Sequence, residues 1–291
     1  MNDAPAQPMS STPSMLTLTH RPRTSNTTLP SQIACAVSST TEASVTEPSS
    51  PYRSLWLETS ARLLTHAQKN IRLIRRDLPA EHASHTSKNG RFKIQAKAWI
   101  LLQQGQPTTE FRIVLIEGSA NTILNTWAFP FSASHLPVFA AELIAMAGVP
   151  RLTFMDIQVP SLSEIQIQKT RERTREIRRE FTDLVCEELP PAWAIDASGG
   201  DYLFRRSSDA TTFPRIQNAY LALLDAYLAQ TTEHTPIPRN QARDLQSRET
   251  LSAYQQHHMQ HSPGRMFLGK VFGEYWTDDF LTNFLFTLPG A

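Results

Sequence analysis

Hydrophobic positions along the chain first repeat with the period of a helix and then with the period of a strand. Residues 54–74, "SLWLETSARLLTHAQKNIRLI", place apolar side chains at helical spacing, which predicts an amphipathic helix. Between residues 91 and 157, apolar and polar side chains alternate in "RFKIQAKAWILLQ", "EFRIVLIEG", "TILNTWAFPF", "LPVFAAELIA" and "RLTFMDI". Short polar breaks separate these segments, a pattern that is typical of an antiparallel meander.

After Pro160 the pattern becomes helical again. It predicts helices over 161–186, 213–230 and about 239–260, and two last amphipathic helices in "GRMFLGKVFGEYW" and "TDDFLTNFLF". A short strand, "DYLFRR", is predicted at 201–206. Helices before and after one sheet predict an α/β (α+β) fold, a three-layer α/β/α sandwich with a central antiparallel sheet flanked by helices.

The first 50 residues differ in composition from the rest of the chain. They include 19 Ser or Thr and several prolines but few large apolar residues, so they cannot bury enough surface to offset ordering. We therefore expect a disordered Ser/Thr/Pro-rich leader over 1–50 and a single domain over 51–291. Such a leader is typical of a plastid transit peptide or of a plain disordered tail. The expected location is the plastid stroma in a eukaryote and the cytoplasm in a bacterium.

The net charge, the number of cysteines and the arrangement of glycines exclude several classes of function. The formal net charge of +1 gives no reason to expect a nucleic-acid partner, and no segment has the roughly 18 apolar residues that a membrane span needs. Two cysteines, Cys35 and Cys186, are too few for a disulfide framework or an internal four-cysteine iron–sulfur cluster. The ten glycines form no dinucleotide or phosphate-binding fingerprint. Electrons for any redox reaction would therefore come from outside.

Three neighbouring strands each carry one polar residue in an otherwise apolar row. Alternation aligns Glu117 with Phe111, Ile113 and Leu115; Asn125 with Ile123, Trp127 and Phe129; and Glu142 with Val138, Ala140 and Ile144. An apolar face with a few convergent polar groups suits a flat, mostly apolar ligand with hydrogen-bonding edges. The alternative is that both glutamates face solvent on the outer side of a half-exposed sheet.

Two other patterns leave alternatives open. "KTRERTREIRREF" alternates positive and negative side chains at helical spacing, which fits a solvated helix, although its arginine excess could also steer an acidic partner. "HHMQH" places His257 and His261 one helical turn apart, as either a surface pair or a metal pair without a recognisable third ligand.

Several segments together resemble the ferredoxin-dependent bilin reductases, which reduce biliverdin and related linear tetrapyrroles. The likeness covers about 90 to 288 and is carried by "FRIVLIE", "AFPF" followed by "LPVFAAELI", "MDIQVP", "EELPPAW", "YLFRR", "RETLSAYQQ" and "FGEYWTDDFLTNFLF". The resemblance implies the sandwich fold, with the bilin between the sheet and the C-terminal helices. It also implies no tightly bound cofactor and no metal, with single electrons supplied by an external [2Fe–2S] ferredoxin.

The resemblance assigns roles to the three polar strand residues. Glu142 falls where most of the family has a catalytic aspartate that hydrogen-bonds the bilin and supplies protons. Asn125 falls where phycocyanobilin-forming enzymes have histidine and where phycoerythrobilin- or phytochromobilin-forming enzymes usually have asparagine. Glu117 matches the glutamate that phycocyanobilin-forming enzymes need to reduce the D-ring vinyl group.

It also implies substrate-binding residues outside these strands. Ser262 occupies the position of a second aspartate in the common "NDP" pattern, Arg265 and Arg151 are implied as propionate partners, and Trp193 belongs to the implied binding set. A glutamate in the "FAAELI" context is also similar to red chlorophyll catabolite reductases, a related branch, whereas the C-terminal segment resembles the bilin reductases.

These implications amount to a hypothesis for the whole chain. We expect a monomer that reduces a linear tetrapyrrole, biliverdin IXα, to a phytobilin by sequential one-electron transfers from ferredoxin and side-chain protonation. The alternatives are a bilin-binding protein without reductase activity and a chlorophyll-catabolite reductase.

Overall fold

A computed structural model describes residues 52–67, 71–186, 188–206, 208–234 and 240–290. Its helices are α1 (Arg53–His66), α2 (Ala80–Ala83), α3 (Glu164–Glu180), α4 (Ala192–Ile195), α5 (Phe213–Glu233), α6 (Gln241–His261), α7 (Gly264–Phe272) and α8 (Glu274–Phe280), which continues as a π-helical turn over Leu281–Leu285. The strands are β1 (Ile71–Arg76), β2 (Ser84–Thr86), β3 (Phe92–Gln103), β4 (Gln106–Gly118), β5 (Asn121–Pro130), β6 (Val138–Met146), β7 (Val149–Gln158) and β8 (Leu203–Arg206). The predicted leader at 1–50 lies outside the described residues, and the single domain over 51–291 stays a prediction.

The strands form one eight-stranded sheet in the order β1-β3-β4-β5-β6-β7-β8, with β2 also paired to β3. Every neighbouring pair is antiparallel. The five predicted strands of the meander appear as β3 to β7, because each alternates apolar and polar positions and short turns connect them. The predicted antiparallel centre is confirmed.

Helices cover both faces of this sheet. On the first face, Phe111, Ile113 and Leu115 of β4 pack in one buried cluster with side chains of α1 and α5. On the second face, Val114 and Ile116 of β4 belong to another buried cluster that includes side chains of α6, α7, α8 and the π-helical turn. The three-layer α/β/α sandwich is therefore confirmed, and each strand contributes to both cores by alternation.

The first predicted helix is too long. Helix α1 ends at His66, and Ile71–Arg76 instead forms strand β1, in which Ile71 pairs with Gln103 and Arg76 with Ala98. The segment "IRLIRR" satisfies its backbone groups against the long strand β3, which would otherwise leave an open edge. Tertiary pairing thus overrides the helical spacing of Ile71 and Ile74.

A buried arginine fixes the C-terminal segment over the second face. Arg112 of β4 is fully buried and binds Glu110 through its Nε at 2.9 Å. Its Nη1 donates to the carbonyl oxygens of Leu285 at 3.0 Å and Thr287 at 2.7 Å. These bonds hold the end of the chain as one wall of the cleft described below. No helix within the described ranges combines the length and apolar character of a membrane span.

Candidate functional site

A cleft lies between the second face of the sheet and the C-terminal helices. It contains about 1170 Å³ of empty space, part of it open to solvent. Its walls are mainly apolar side chains of the sheet and of α6 to the π-helical turn, including Ile94, Val114, Ile116, Phe154, Leu268, Leu281 and Phe286. A concave, mainly apolar surface of this kind is typical of a site for an organic ligand.

Two of the predicted residues meet on the floor of this cleft. Asn125 of β5 and Glu142 of β6 are direct cross-strand partners, and both line the cleft. Within the described structure, the buried Oδ1 of Asn125 has no hydrogen-bond partner, and neither has the buried Nε1 of the nearby Trp127. Buried polar atoms normally have partners, so an acceptor and a donor are left for a ligand.

Burial changes the acidity of Glu142. Glu142 is half-buried and lines the cleft. Desolvation disfavours the anion and raises the pKa of Glu142 from its ordinary value of 4.5 to about 7. The floor of the cleft therefore carries a carboxyl that can hold a proton near neutral pH.

The structure separates Glu117 from these two residues. Val114 pairs with Asn125, and Glu117 pairs with Thr122, so Glu117 lies on the first face of the sheet. Its carboxylate binds Arg53 of α1, with 3.0 Å between Arg53 Nε and Glu117 Oε1 and a second contact from Arg53 Nη2. The prediction that all three polar residues share one face is wrong for Glu117. Alternation orders the residues within one strand, whereas the register between strands decides which rows coincide.

Two arginines stand at the mouth of the cleft. Arg265 was predicted, and its Nη2 lies 2.7 Å from Asp278 Oδ1. Arg206 was not predicted, and its Nε lies 3.1 Å from Glu188 Oε1. Exposed ion pairs of this kind contribute little and exchange partners readily. The two guanidinium groups can therefore bind carboxylates that a ligand carries at its solvent-facing edge.

The remaining predicted residues divide between the cleft and the surface. Ser262 follows α6 and lines the cleft, where its Oγ accepts a hydrogen bond from the Gly264 N–H at 3.3 Å. Trp193 of α4 also lines the cleft, with its ring edge-on to His258 at a centroid distance of 5.7 Å. Arg151 of β7 is exposed and does not line the cleft, so the structure does not bring it to the other candidates.

Sequence reasoning missed two titratable residues near the cleft. His258 lies inside "HHMQH" but is buried, and burial, with His257 and His261 nearby, lowers its pKa to about 4. Asp156 is buried on β7, where desolvation raises its pKa from 3.8 to about 7. The signal for Asp156 was present, because alternation in "RLTFMDI" aligns it with Leu152 and Phe154 just as it aligns Glu142 with its apolar row.

The histidine pair does not build a metal site. The rings of His257 and His261 lie 4.3 Å apart between centroids, and His261 Nδ1 is 2.8 Å from the His257 carbonyl oxygen. Over the described ranges, no group of three or more His, Cys, Asp or Glu side chains is arranged to hold a metal ion. The pair is accounted for by its position at the exposed end of α6.

Comparisons with known proteins agree with the family resemblance and with the architecture. The sequence model of the ferredoxin-dependent bilin reductases matches residues 60–287. A 15,16-dihydrobiliverdin:ferredoxin oxidoreductase from Gloeobacter violaceus is 23% identical over 72% of this chain and 85% of its own length. A phycoerythrobilin:ferredoxin oxidoreductase from Prochlorococcus marinus is 24% identical over 69% of this chain and 79% of its own length.

A solved structure shares the fold. Phytochromobilin synthase from tomato, crystallised in complex with biliverdin, superposes with a TM-score of 0.71 at 18% identity, covering 81% of this chain and 82% of that one. The family match spans most of the chain, including every strand from β1 to β8 and all the C-terminal helices. The chain therefore belongs to the ferredoxin-dependent bilin reductases, oxidoreductases that use ferredoxin as electron donor.

Proposed function

We propose that this protein reduces biliverdin IXα to a phytobilin, with single electrons from reduced ferredoxin and protons from side chains of the cleft. The observation that carries the proposal is the Glu142–Asn125 pair on the floor of a mainly apolar cleft. A linear tetrapyrrole matches this arrangement because it is flat and mostly apolar, with pyrrole nitrogens along one edge and two propionates. The Gloeobacter and Prochlorococcus relatives are named for reactions with bilins and ferredoxin.

Glu142 has the properties of a proton donor for such a ligand. Its pKa of about 7 keeps a large fraction protonated at neutral pH, which is where a general acid works best. A bound bilin displaces water from the cleft, which disfavours the carboxylate further. In the proposed step the Glu142 O–H bond breaks, a bond from hydrogen to the bilin forms, and an electron from ferredoxin balances the charge. Reduction of one double bond takes two electrons and two protons.

The arginines at the mouth orient the ligand. Arg206 and Arg265 lie where the cleft meets solvent, so propionates placed there leave the pyrrole edge facing the floor. Each propionate would replace an acidic side chain, Glu188 or Asp278, in an ion pair that already exists. The charges at the mouth thus favour a ligand with two carboxylates along one edge of an otherwise apolar body.

An arginine-lined groove beside the cleft suits an acidic electron donor. Arg175 and Arg179 of α3 line this groove together with Arg178, whose guanidinium lies 5.8 Å from the ring centroid of Tyr202. The Tyr202 ring in turn lies 6.4 Å from Phe154, which lines the cleft. If ferredoxin docks on the groove, the rings of Tyr202 and Phe154 would lie between its docking surface and the bilin and could carry electrons between them.

The groove is tested by charge reversal. Arg179→Glu should raise the KM for ferredoxin, most strongly at low ionic strength, without changing the affinity for biliverdin. Arg173→Glu is the matched control, because Arg173 lies on the same helix but outside the groove and pairs with Glu233. Equal effects of both substitutions would show that the groove is not the docking surface.

The proposed function is tested by anaerobic reduction of biliverdin with reduced ferredoxin, followed by absorbance and product chromatography. Glu142→Gln should still bind biliverdin but turn it over about 100-fold more slowly, the usual contribution of a general acid. Glu117→Gln is the matched control, since it makes the same substitution on the opposite face of the sheet. An unchanged rate and product in Glu142→Gln would remove Glu142 from the mechanism.

Ser262 favours a second candidate, a bilin-binding protein without reductase activity. A serine hydroxyl is too weakly acidic to replace a carboxyl as a proton donor at neutral pH. This candidate predicts a stable biliverdin complex whose spectrum does not change when reduced ferredoxin is added. The same anaerobic experiment therefore separates the two functions.

A further inference from the structure

Trp127 of β5 lies on the cleft floor beside the Glu142–Asn125 pair. It is two residues from Asn125 on the same strand, so both side chains belong to one face of the sheet. Its cross-strand partner is Ala140, two residues from Glu142 on β6. Diagonal neighbours of this kind are within reach of an aromatic side chain. Trp127 lines the cleft, so a ligand that contacts Glu142 also lies next to Trp127.

Other aromatic rings hold the indole of Trp127 in place. It stacks on Phe129, with 5.4 Å between centroids and 4° between the ring planes. His258 of α6 and Phe286 meet it edge-on at centroid distances of 5.2 and 5.5 Å. Only 7% of Trp127 is exposed. Close packing on several sides fixes the orientation of the ring, so the indole cannot turn to find a polar partner elsewhere.

This packing leaves the indole N–H of Trp127 without an acceptor. Its Nε1 is closed to water, and it has no hydrogen-bond partner among the described residues. Buried indole N–H groups usually have one. The faces of neighbouring rings accept an N–H only weakly and do not replace an oxygen. Because an indole can donate but not accept, the missing partner is an acceptor.

A bilin carries an acceptor that matches this donor. Its outward-facing acceptors are two propionates and the carbonyl oxygens of the two lactam rings at its ends. In the proposed complex the propionates lie with Arg206 and Arg265 at the mouth. A carboxylate on the apolar floor would be buried without a cationic partner, which is costly. A neutral lactam oxygen is therefore the acceptor that suits the neutral indole.

We propose that the Trp127 N–H donates a hydrogen bond to a lactam carbonyl oxygen of the bilin and so positions one end ring on the cleft floor. This inference rests on the bilin binding of the proposed function. Phe286 is half-buried and also lines the cleft, and its ring turns aside as the lactam ring takes its place. The contact sets which part of the conjugated system lies against Glu142, and thus where the proton is delivered.

The test compares Trp127→Phe with wild type in the full chain, with biliverdin as ligand. Phenylalanine keeps an aromatic ring on the floor and removes the N–H. The Kd for biliverdin in a spectroscopic titration should rise about fivefold, the usual contribution of one neutral hydrogen bond. The lactam C=O stretching band of bound biliverdin should move to higher wavenumber in infrared difference spectra, because the hydrogen bond that weakens the carbonyl is lost. A merely structural role of Trp127 would not shift this band.

Trp99→Phe is the matched control, because it makes the same substitution at a buried tryptophan on the opposite face of the sheet. It should change neither the Kd nor the carbonyl band. A second variant replaces the indole of Trp127 by benzothiophene, through an unnatural amino acid. It keeps the shape of the ring and exchanges only the N–H for sulfur, so it decides the outcome if Trp127→Phe does not fold.

The carbonyl band separates the inference from the proposed function. An unchanged band in Trp127→Phe, or in the benzothiophene variant where only that one folds, would overturn the inference whatever the Kd, and reduction of biliverdin by wild type would leave the proposed function standing. A shifted band in a protein that binds biliverdin but does not reduce it with ferredoxin would support the inference and overturn the proposed function. Failure of wild type to bind biliverdin would overturn both.

Discussion

The Asp156→Asn variant should become more stable, relative to wild type, as the pH rises. Burial raises the pKa of Asp156 from 3.8 to about 7, so the folded protein keeps a proton that the unfolded chain releases. The contribution of this group to stability is greatest below pH 3.8, falls as the pH rises towards about 7, and is constant above that. With about 1.4 kcal/mol for each pH unit over roughly two units, the loss in wild type between pH 5 and pH 8 is about 2–3 kcal/mol.

The measurement is urea unfolding of both proteins without ligand at pH 5 and pH 8. Asparagine has the shape of aspartate but does not ionise. The free energy of unfolding of Asp156→Asn relative to wild type should therefore increase by about 2–3 kcal/mol from pH 5 to pH 8. Asp225→Asn, which removes a surface carboxyl of α5 that pairs with Arg62, is the control for any general effect of replacing a carboxyl. The same difference for Asp156→Asn at both pH values would refute the reasoning that a protonated acid is buried at this position.

Three further substitutions test the assignment of charged residues. Glu117→Gln should leave the bilin product unchanged and lower the free energy of unfolding by no more than about 1 kcal/mol, measured in urea, because the ion pair it breaks is partly exposed. Arg112→Met should destabilise the protein by about 3–5 kcal/mol in the same assay. The substitution removes the buried ion pair with Glu110 and the hydrogen bond to the carbonyl oxygen of Leu285. Arg206→Gln should weaken biliverdin binding in a spectroscopic titration roughly fivefold, about 1 kcal/mol, whereas Arg151→Gln should not.

The periodicity of the sequence predicts the helices and strands of this fold better than it predicts which strands pair and in which register. The meander from β3 to β7 was readable because each strand alternates over its whole length. Strand β1 was not predictable in this way, because Ile71 and Ile74 fit the helical spacing of the preceding segment. Only pairing with β3 decides their conformation. Local patterns contain no information about such pairing across more than 20 residues of sequence separation.

The candidate site also depends on strand register, which local sequence patterns do not predict. Glu142 and Asn125 were recognised as polar interruptions of apolar rows, and the register brings them together. Glu117 interrupts its row in the same way, but the register turns that row towards α1. Asp156 interrupts the apolar row of "RLTFMDI" as Glu142 interrupts its own row, but that segment predicted only a strand and part of the family resemblance. His258 was overlooked because the periodic reading took the histidines on either side of it as one exposed face.

The distribution of charge explains why an apolar cleft can accept a ligand with two carboxylates. The acids on and behind the floor, Glu142 and Asp156, each have a pKa raised to about 7 by burial, so each is protonated in a large fraction of the molecules near neutral pH. The formal charges lie instead at the mouth, where each of the two arginines is already neutralised by an acid. In the proposed complex, the two carboxylates of the bilin would take the places of the acids that now pair with these arginines, so neither carboxylate would be buried without a partner. Its propionates would then lie in the solvent-exposed, charged part of the site, and its conjugated body would lie against acids that can donate protons.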